Sequence, residues 1–223
     1  MAIRPVYIGI EEFPYFKKVG IEFQYYPGFS LKQKQKTFLS LHKSFLKRYP
    51  TRKVLEISTK SNNNLGIMLS AFTMMIRTKK RRYSVECAFQ SSKVFENGGP
   101  YIDLLYKSSI EAKKDFRLKN SGKLKLFNYL GREFPLEPKD YFYNWLYINA
   151  LSFYNQLIKK MLNYDSFTDI EFNPDKSLNC QAKAAAIFVG LTKASKMNYV
   201  LESRDNFLQT IYGDYAGEQT LDL

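Results

Sequence analysis

From Pro138 to about residue 162 the sequence reads as one long helix in which Phe142, Trp145, Asn149, Phe153 and Leu157 share a single stripe. Side chains of that bulk on one face have to be covered, so this helix is expected at the centre of the molecule with other elements wrapped around it. The material for such a core is present. At 223 residues, 45% hydrophobic and 16% aromatic, the chain buries a sizeable interior, and disorder is excluded. No internal period and no Pro/Gly/Ser-rich linker divides it, which points to one domain over residues 1–223.

The flanking segments read as short strands and helices. PVYI (5–8) and VGIEFQYY (19–26) carry the β-branched and aromatic residues of extended chain. Ser30 with Gln33 reads as a capping box, opening a helix to about Arg48 with Phe38, Leu41 or His42, and Phe45 on its inner face. Lys32, Lys34, Lys36, Lys43 and Lys47 occupy its outer face. VLEIST (54–59) alternates as a strand, 60–64 is a polar loop, and LGIMLSAF (65–72) is too apolar for exposure. TMMIR and RYSVE flank Thr78–Arg81 as a hairpin with a basic tip. Helices are expected over 85–95, 101–107, 109–119 behind the Ser108/Glu111 capping box, 138–162, an Ala-rich 177–194 and 200–211. Residues 165–171 read as extended, and the acidic stretch 213–223 as a frayed tail. The fold class is α+β, mostly helical, with a small antiparallel sheet packed on a helical bundle.

Composition narrows the function. A formal charge of +13, from 34 Lys+Arg against 21 Asp+Glu, sets up a field that attracts phosphate-rich partners, although a Lys-rich surface also simply confers solubility. Cys87 and Cys180 stand in no metal or disulfide spacing and fit a reducing cytoplasm. With His42 the single histidine, no metal centre and no His-dependent triad is expected, and no cofactor. No apolar run reaches bilayer length, no secretory leader is visible, and no Gly-rich phosphate loop supports an NTPase or a dehydrogenase.

Glu86, Gln90 and Lys93 fall at i, i+4 and i+7 of the expected helix 85–95, which puts a carboxylate and an amine on one face; the wet side of an amphipathic helix is the plain alternative. The segments LEISTKSNNNLGIMLSAF, YSVECAFQSSKVF and SSIEAKKDFRLKNSG resemble, in order and spacing, successive blocks of the NADAR (YbiA-like) family. The likeness spans roughly residues 54–192, leaving 1–53 as an N-terminal extension with one helix. It places Leu69–Phe72 at the family's loop, Val85–Glu86 and Lys93–Phe95 at its helix, and Ala112–Lys113 with Arg117 at its third block. Cys87 replaces the usual His, Ala71 the usual Asn, and the Asp and Trp-Gly expected after Glu171 are absent. The wording of IEFQYYPGFSLKQKQK, FENGGPY and FNPDKSLNCQAKAAA is similar to the branch that accompanies guanine-specific DarT toxins, which ADP-ribosylate DNA.

That resemblance implies hydrolysis of the N-glycosidic bond between ADP-ribose and guanine in DNA, releasing ADP-ribose, with a DarT-type toxin as cognate partner. Cleaving such a bond passes through a sugar cation that a carboxylate stabilises, so Glu86 is expected in that role or as general acid/base. Lys93, if burial keeps it neutral, is expected to attack C1 and form a Schiff base. Lys113 and Arg117 offer a cationic face to the pyrophosphate, with Ser70 adding a donor, while Phe72 and Phe89 offer rings to a base and Gln90 shares the polar face. Asn179 is expected on ribose hydroxyls and Glu171 in proton transfer. Two alternatives stand beside this reading: an N-glycosidase for a small aminated pyrimidine ribose phosphate, and a non-catalytic module binding ADP-ribose or nucleic acid.

Overall fold

The computed structural model of the protein describes residues 1–79, 81–173 and 179–213. Strands β1 (Ala2–Gly9) and β2 (Phe16–Phe23) pair antiparallel in unbroken register, Ala2 opposite Phe23 and Gly9 opposite Phe16. Alternation works as the pleat demands: Val19, Ile21 and Phe23 are buried between exposed Lys18, Gly20 and Glu22. Helix α1 (Leu31–Arg48) lays Phe38, Leu41 and Phe45 on that face together with Val6 and Ile8. Its cap is half of the box read from sequence: Gln33 N donates to Ser30 Oγ at 3.3 Å, but Gln33 Oε1 is buried without a partner.

Strand β3 (Val54–Glu56) lies parallel to β9 (Ser166–Thr168), and β9 antiparallel to β1, giving a sheet ordered β2-β1-β9-β3. The main sheet is therefore mixed rather than antiparallel, because β3 and β9 are joined by a long, largely helical crossover. Helix α8 (Gln181–Lys193) covers the face opposite α1. Its small residues work as the sequence suggests: a Cβ at Gly9 would stand 2.8 Å from Ala186 O, and one at Gly190 only 2.1 Å from Tyr15 O.

Beyond β3 come α2 (Asn64–Met68), the hairpin β4 (Met75–Arg77) and β5 (Arg82–Ser84), then α3 (Val85–Ser91) and β6 (Lys93–Phe95). A 3-10 helix (Ile102–Tyr106), α4 (Ser109–Lys114), α5 (Arg117–Asn120), β7 (Leu124–Tyr129) and β8 (Arg132–Phe134) follow. The rest is α6 (Tyr141–Ser152), α7 (Asn155–Met161), α9 (Met197–Glu202) and α10 (Arg204–Tyr212). Among the described residues no helix is long and apolar enough to cross a membrane. Lys80 of the basic tip, residues 177 and 178 of the expected Ala-rich helix, and the tail from 214 lie outside the described residues.

The α+β class holds, and α6 is the central helix, with Phe142, Tyr143, Leu146, Tyr147, Ile148 and Leu151 all buried. Several continuous helices are broken. The 138–162 helix stops at Ser152, Phe153 is 86% exposed, and the Tyr154 hydroxyl turns away to the Met75 carbonyl. The 109–119 helix is interrupted at Asp115, whose carboxylate accepts from Arg117 N at 3.1 Å, a side-chain turn that competes with helix. The 200–211 helix is two, parted at Ser203, which caps α10. The β7–β8 hairpin went unread; Leu130 and Gly131 turn it with φ 53° and 85°, both in the left-handed region that such two-residue turns need.

Replacing Gly190 by Ala drives a methyl into the Tyr15 and Ile10 carbonyls. We expect a loss of about 1–3 kcal/mol, the usual cost of overpacking, read as a lower urea midpoint. An unchanged midpoint would mean that α8 and β1 part more easily than their spacing implies.

Candidate active site

The three sequence blocks converge around the start of α3. Ser84 caps this helix, Cys87 N donating to its Oγ at 3.0 Å, and Glu86 N is held by Ala71 O at 2.9 Å. The hydroxyl of Ser109 donates to Phe72 O at 2.8 Å and lies 2.7 Å from Ser84 Oγ. The loop carrying Phe72, the helix carrying Glu86 and the helix carrying Lys113 are thereby laced together.

Helix α3 ends earlier than its pattern suggests. The hydroxyls of Ser91 and Ser92 both donate to Ala88 O, at 3.0 and 2.7 Å, and this back-bonding closes the helix before Lys93. Lys93 is the first residue of β6, paired with Phe127 of β7, so it does not share a helical face with Glu86. The fold nevertheless brings the two together: each charge shifts the ionisation of the other. Among the described residues no direct ion pair joins them.

Glu86 is buried, and desolvation raises its pKa against the pull of the Gln90 hydrogen bond and of Lys113 and Lys93. Gln90 Nε2 donates to Glu86 Oε1 at 2.9 Å, while Gln90 Oε1 is buried without a partner. Burial lowers the Lys93 ammonium to about 8, with the Glu86 charge opposing and that of Lys113 adding to the fall. Its Nζ sits 5.0 Å from the centre of the Phe89 ring, and Lys113 Nζ 5.0 Å from that of Phe72. Raising the acid and lowering the amine beside it moves both ionisations toward the neutral range, where proton transfer and nucleophilic attack operate.

The other sequence candidates divide. Phe89 is packed in the aromatic core, at centroid distances of 5.4 Å from Phe127 and 5.2 Å from Tyr143, whereas Phe72 is half-buried. Ser70 is buried and its hydroxyl lies 3.4 Å from Gln181 Oε1, shaping the loop from inside. Arg117 is committed elsewhere: it grips Asp115 at 2.8 Å and Asp103 at 2.6 Å, and its guanidinium covers Tyr101 at 4.4 Å. Glu171 is exposed and pairs with Lys34 at 3.0 Å; its charge acts on Glu56 and Asp169, not on Glu86. Asn179 is half-buried beside the undescribed residues 174–178.

Sequence reasoning passed over Gln181, Tyr143 and a pair of carboxyls, Glu56 and Asp169. Gln181 Oε1 accepts from Ala71 N at 2.8 Å, its Nε2 donates to Ile57 O at 2.8 Å, and its amide also bonds Asp169. Buried Tyr143 feels the charges of both Glu86 and Asp169 and so marks the join between the two acidic centres. Burial raises both Glu56 and Asp169, and the charge of Glu56 raises Asp169 further; Thr168 Oγ1 at 2.6 Å and Ile170 N at 2.9 Å hold Glu56. The signal was available: an acid flanked by apolar residues inside the strand patterns VLEI and FTDI is out of place unless it is paired.

A helix-rich α+β domain whose loop, helix and third block meet around a buried acid and a depressed lysine is a NADAR-type protein. The match of residues 2–220 to the sequence model described as DarT1-associated NADAR antitoxin covers nearly the whole chain. The protein belongs to that family, one of antitoxins associated with a DarT toxin. No curated protein matches it.

The two cations of the third block should part company in stability. Arg117→Ala strips the buried Asp115 carboxylate of its best partner and is expected to cost about 1–3 kcal/mol. Lys113→Ala, at an exposed position, should stay within about 0.5 kcal/mol of the parent. Urea titrations of both variants decide, and equal losses would refute the distinction.

Proposed function

We propose that the protein is a DNA ADP-ribosylglycohydrolase, removing ADP-ribose from guanine and so undoing the modification made by a DarT-type toxin. One observation carries this reading: Glu86 with a raised pKa and Lys93 lowered to about 8 sit within mutual influence without neutralising one another as an ion pair. The charge of +13 suits a substrate carried on a polyanion rather than a small metabolite, and membership of a toxin-associated family supplies the biological setting.

In this reading Lys93 Nζ, as the free amine, attacks C1 of the ribose. The C1–N bond to guanine breaks with its electron pair leaving on the base nitrogen, and that nitrogen takes the proton of Glu86. The adduct's ammonium proton passes to the ring oxygen as the C1–O4′ bond breaks, leaving a C1=Nζ iminium. Water adds at C1 with Glu86 accepting a proton, and the new hydroxyl's proton passes to Nζ as the C1–Nζ bond breaks, releasing ADP-ribose and restoring the lysine. Lys113, whose charge acts on both members of the pair, serves the pyrophosphate; Phe72 offers a half-buried ring to the base.

Incubation with an oligonucleotide bearing ADP-ribosyl guanine should release ADP-ribose, and borohydride should trap an adduct on Lys93, read by mass spectrometry. Lys93→Ala and Glu86→Gln are each expected to slow release by about 10²–10⁴-fold, the usual worth of a positioned acid or base. Full activity in both variants, with no trapped adduct, refutes the reading.

The pH profile follows from the sign of the lysine shift. Lys93 below about 8 is an ammonium with no lone pair, and Glu86 above its raised pKa has no proton to give. The kcat/KM profile should therefore be bell-shaped, falling about tenfold per pH unit on the acid side with loss of the free amine and on the alkaline side with loss of the acid. A kcat/KM that shows no fall anywhere on the acid side would remove the amine from the mechanism.

A further inference from the structure

Helix α1 divides its lysines between two fates. Near its start Lys34 is neutralised by Glu171 at 3.0 Å and Lys36 lies over the Tyr26 ring at 4.0 Å. Near its end Lys43 and Lys47, one turn apart on the same face, have no acidic partner among the described residues. They rim an open groove of about 880 Å³ between α1 and the wall formed by residues 52–54 and 163–164, with Lys53 and Arg52 on the opposite lip. No carboxylate lines it. Asp165 lies behind Arg52 at 3.2 Å, which leaves Lys43, Lys47 and Lys53 as the uncompensated charges.

The floor is of another character. Leu39, Leu46 and Val54 form it, with His42 at its back, kept neutral because burial lowers it to about 4. Tyr164 closes one side, its hydroxyl accepting from Asn63 Nδ2 at 3.1 Å, and Asn63 in turn caps α2, which leads into the loop of Ser70 and Phe72. The groove shares no residue with the cluster of Glu86, Lys93 and Lys113.

We propose that this groove is a separate binding site for a single-stranded nucleic acid, its phosphates on the three lysines and its sugars and bases against the apolar floor. Cationic rims over an apolar and aromatic floor suit a single strand, whose bases are free to lie down on it; a duplex, with its bases stacked inside, has no use for such a floor. Lysines one turn apart on α1 fit successive phosphates of a strand, where a small dianion would engage one of them. The site rests on the reading above for its biological purpose, since it seats the strand that carries the modified guanine, but the binding is measured without any modified base.

The test uses the full chain and a short, labelled, unmodified single-stranded oligodeoxynucleotide followed by fluorescence anisotropy. Lys43→Ala/Lys47→Ala/Lys53→Ala should weaken binding by tenfold or more and flatten the salt dependence by about 2 in log–log slope, three phosphate contacts at about 0.7 each. The corresponding triple replacement by Arg should keep the affinity. A control triple at exposed positions elsewhere, Lys119→Ala/Lys125→Ala/Lys196→Ala, removes the same charge and should shift binding less than about threefold. Equal weakening by the groove and control triples overturns the proposal, as does tighter binding of a duplex of the same sequence. Release of ADP-ribose from ADP-ribosyl guanosine, which has no strand to lay in the groove, should be unchanged in the groove triple, and a parallel loss there also overturns it. A wild-type protein that binds the strand yet releases nothing from either substrate would sink the hydrolase reading and leave the groove standing.

Discussion

The carboxamide of Gln181 is the point through which the site is held to the frame. Its oxygen accepts from the backbone of Ala71 and from the Ser70 hydroxyl, and its nitrogen donates to the Ile57 carbonyl and to Asp169. Both ends of this buried carboxamide are in use. The continuation of β3, the loop before α3 and the start of α8 thus meet at one residue. Ala71 in turn carries the carbonyl that fixes the amide of Glu86, so the placement of the acid descends from this clamp. The same loop is held from the helical side by the Tyr147 hydroxyl, which donates to Leu69 O at 2.7 Å.

Around that clamp the structure tolerates two separate sets of buried acids. Glu86 keeps company with two lysines and a glutamine; Glu56 is held by a threonine and its charge acts on Asp169. Burial raises all of them, but through different neighbours, and Tyr143 lies under the influence of both sets. Desolvation raises Glu86 and lowers Lys93, pushing the two ionisations toward each other from opposite ends of the scale.

Much of this was legible in the chain. The alternation in VGIEF, the stripe of α1, the apolar run before α3 and the capping box at Ser108 each report a local preference that tertiary packing agrees with. Lys93 shows where such reading stops. Its spacing from Glu86 fits a helix, yet two serine hydroxyls close α3 one residue after the last helical position, and pairing with β7 takes the next three residues into a strand. The side chain still comes within the acid's electrostatic influence, by a different route. Gln181 left no mark at all, since its partners come from positions 57, 70, 71 and 169 and no local rule connects them. The break after Ser152 was hidden for a related reason: α6 is apolar on every side, so its periodicity could not say where the core ended.

The contact between His42 and Thr168 carries a further meaning. A threonine has one hydroxyl proton, and with Glu56 ionised that proton points to the carboxylate at 2.6 Å, so the imidazole must bring its own hydrogen on Nε2 across the 2.8 Å gap. Protonating Glu56 lets both links reverse, the acid donating to Thr168 and Thr168 to an unprotonated Nε2. The tautomer of the molecule's single imidazole is therefore a readout, at the floor of an open groove, of the charge on a carboxyl sealed in the interior.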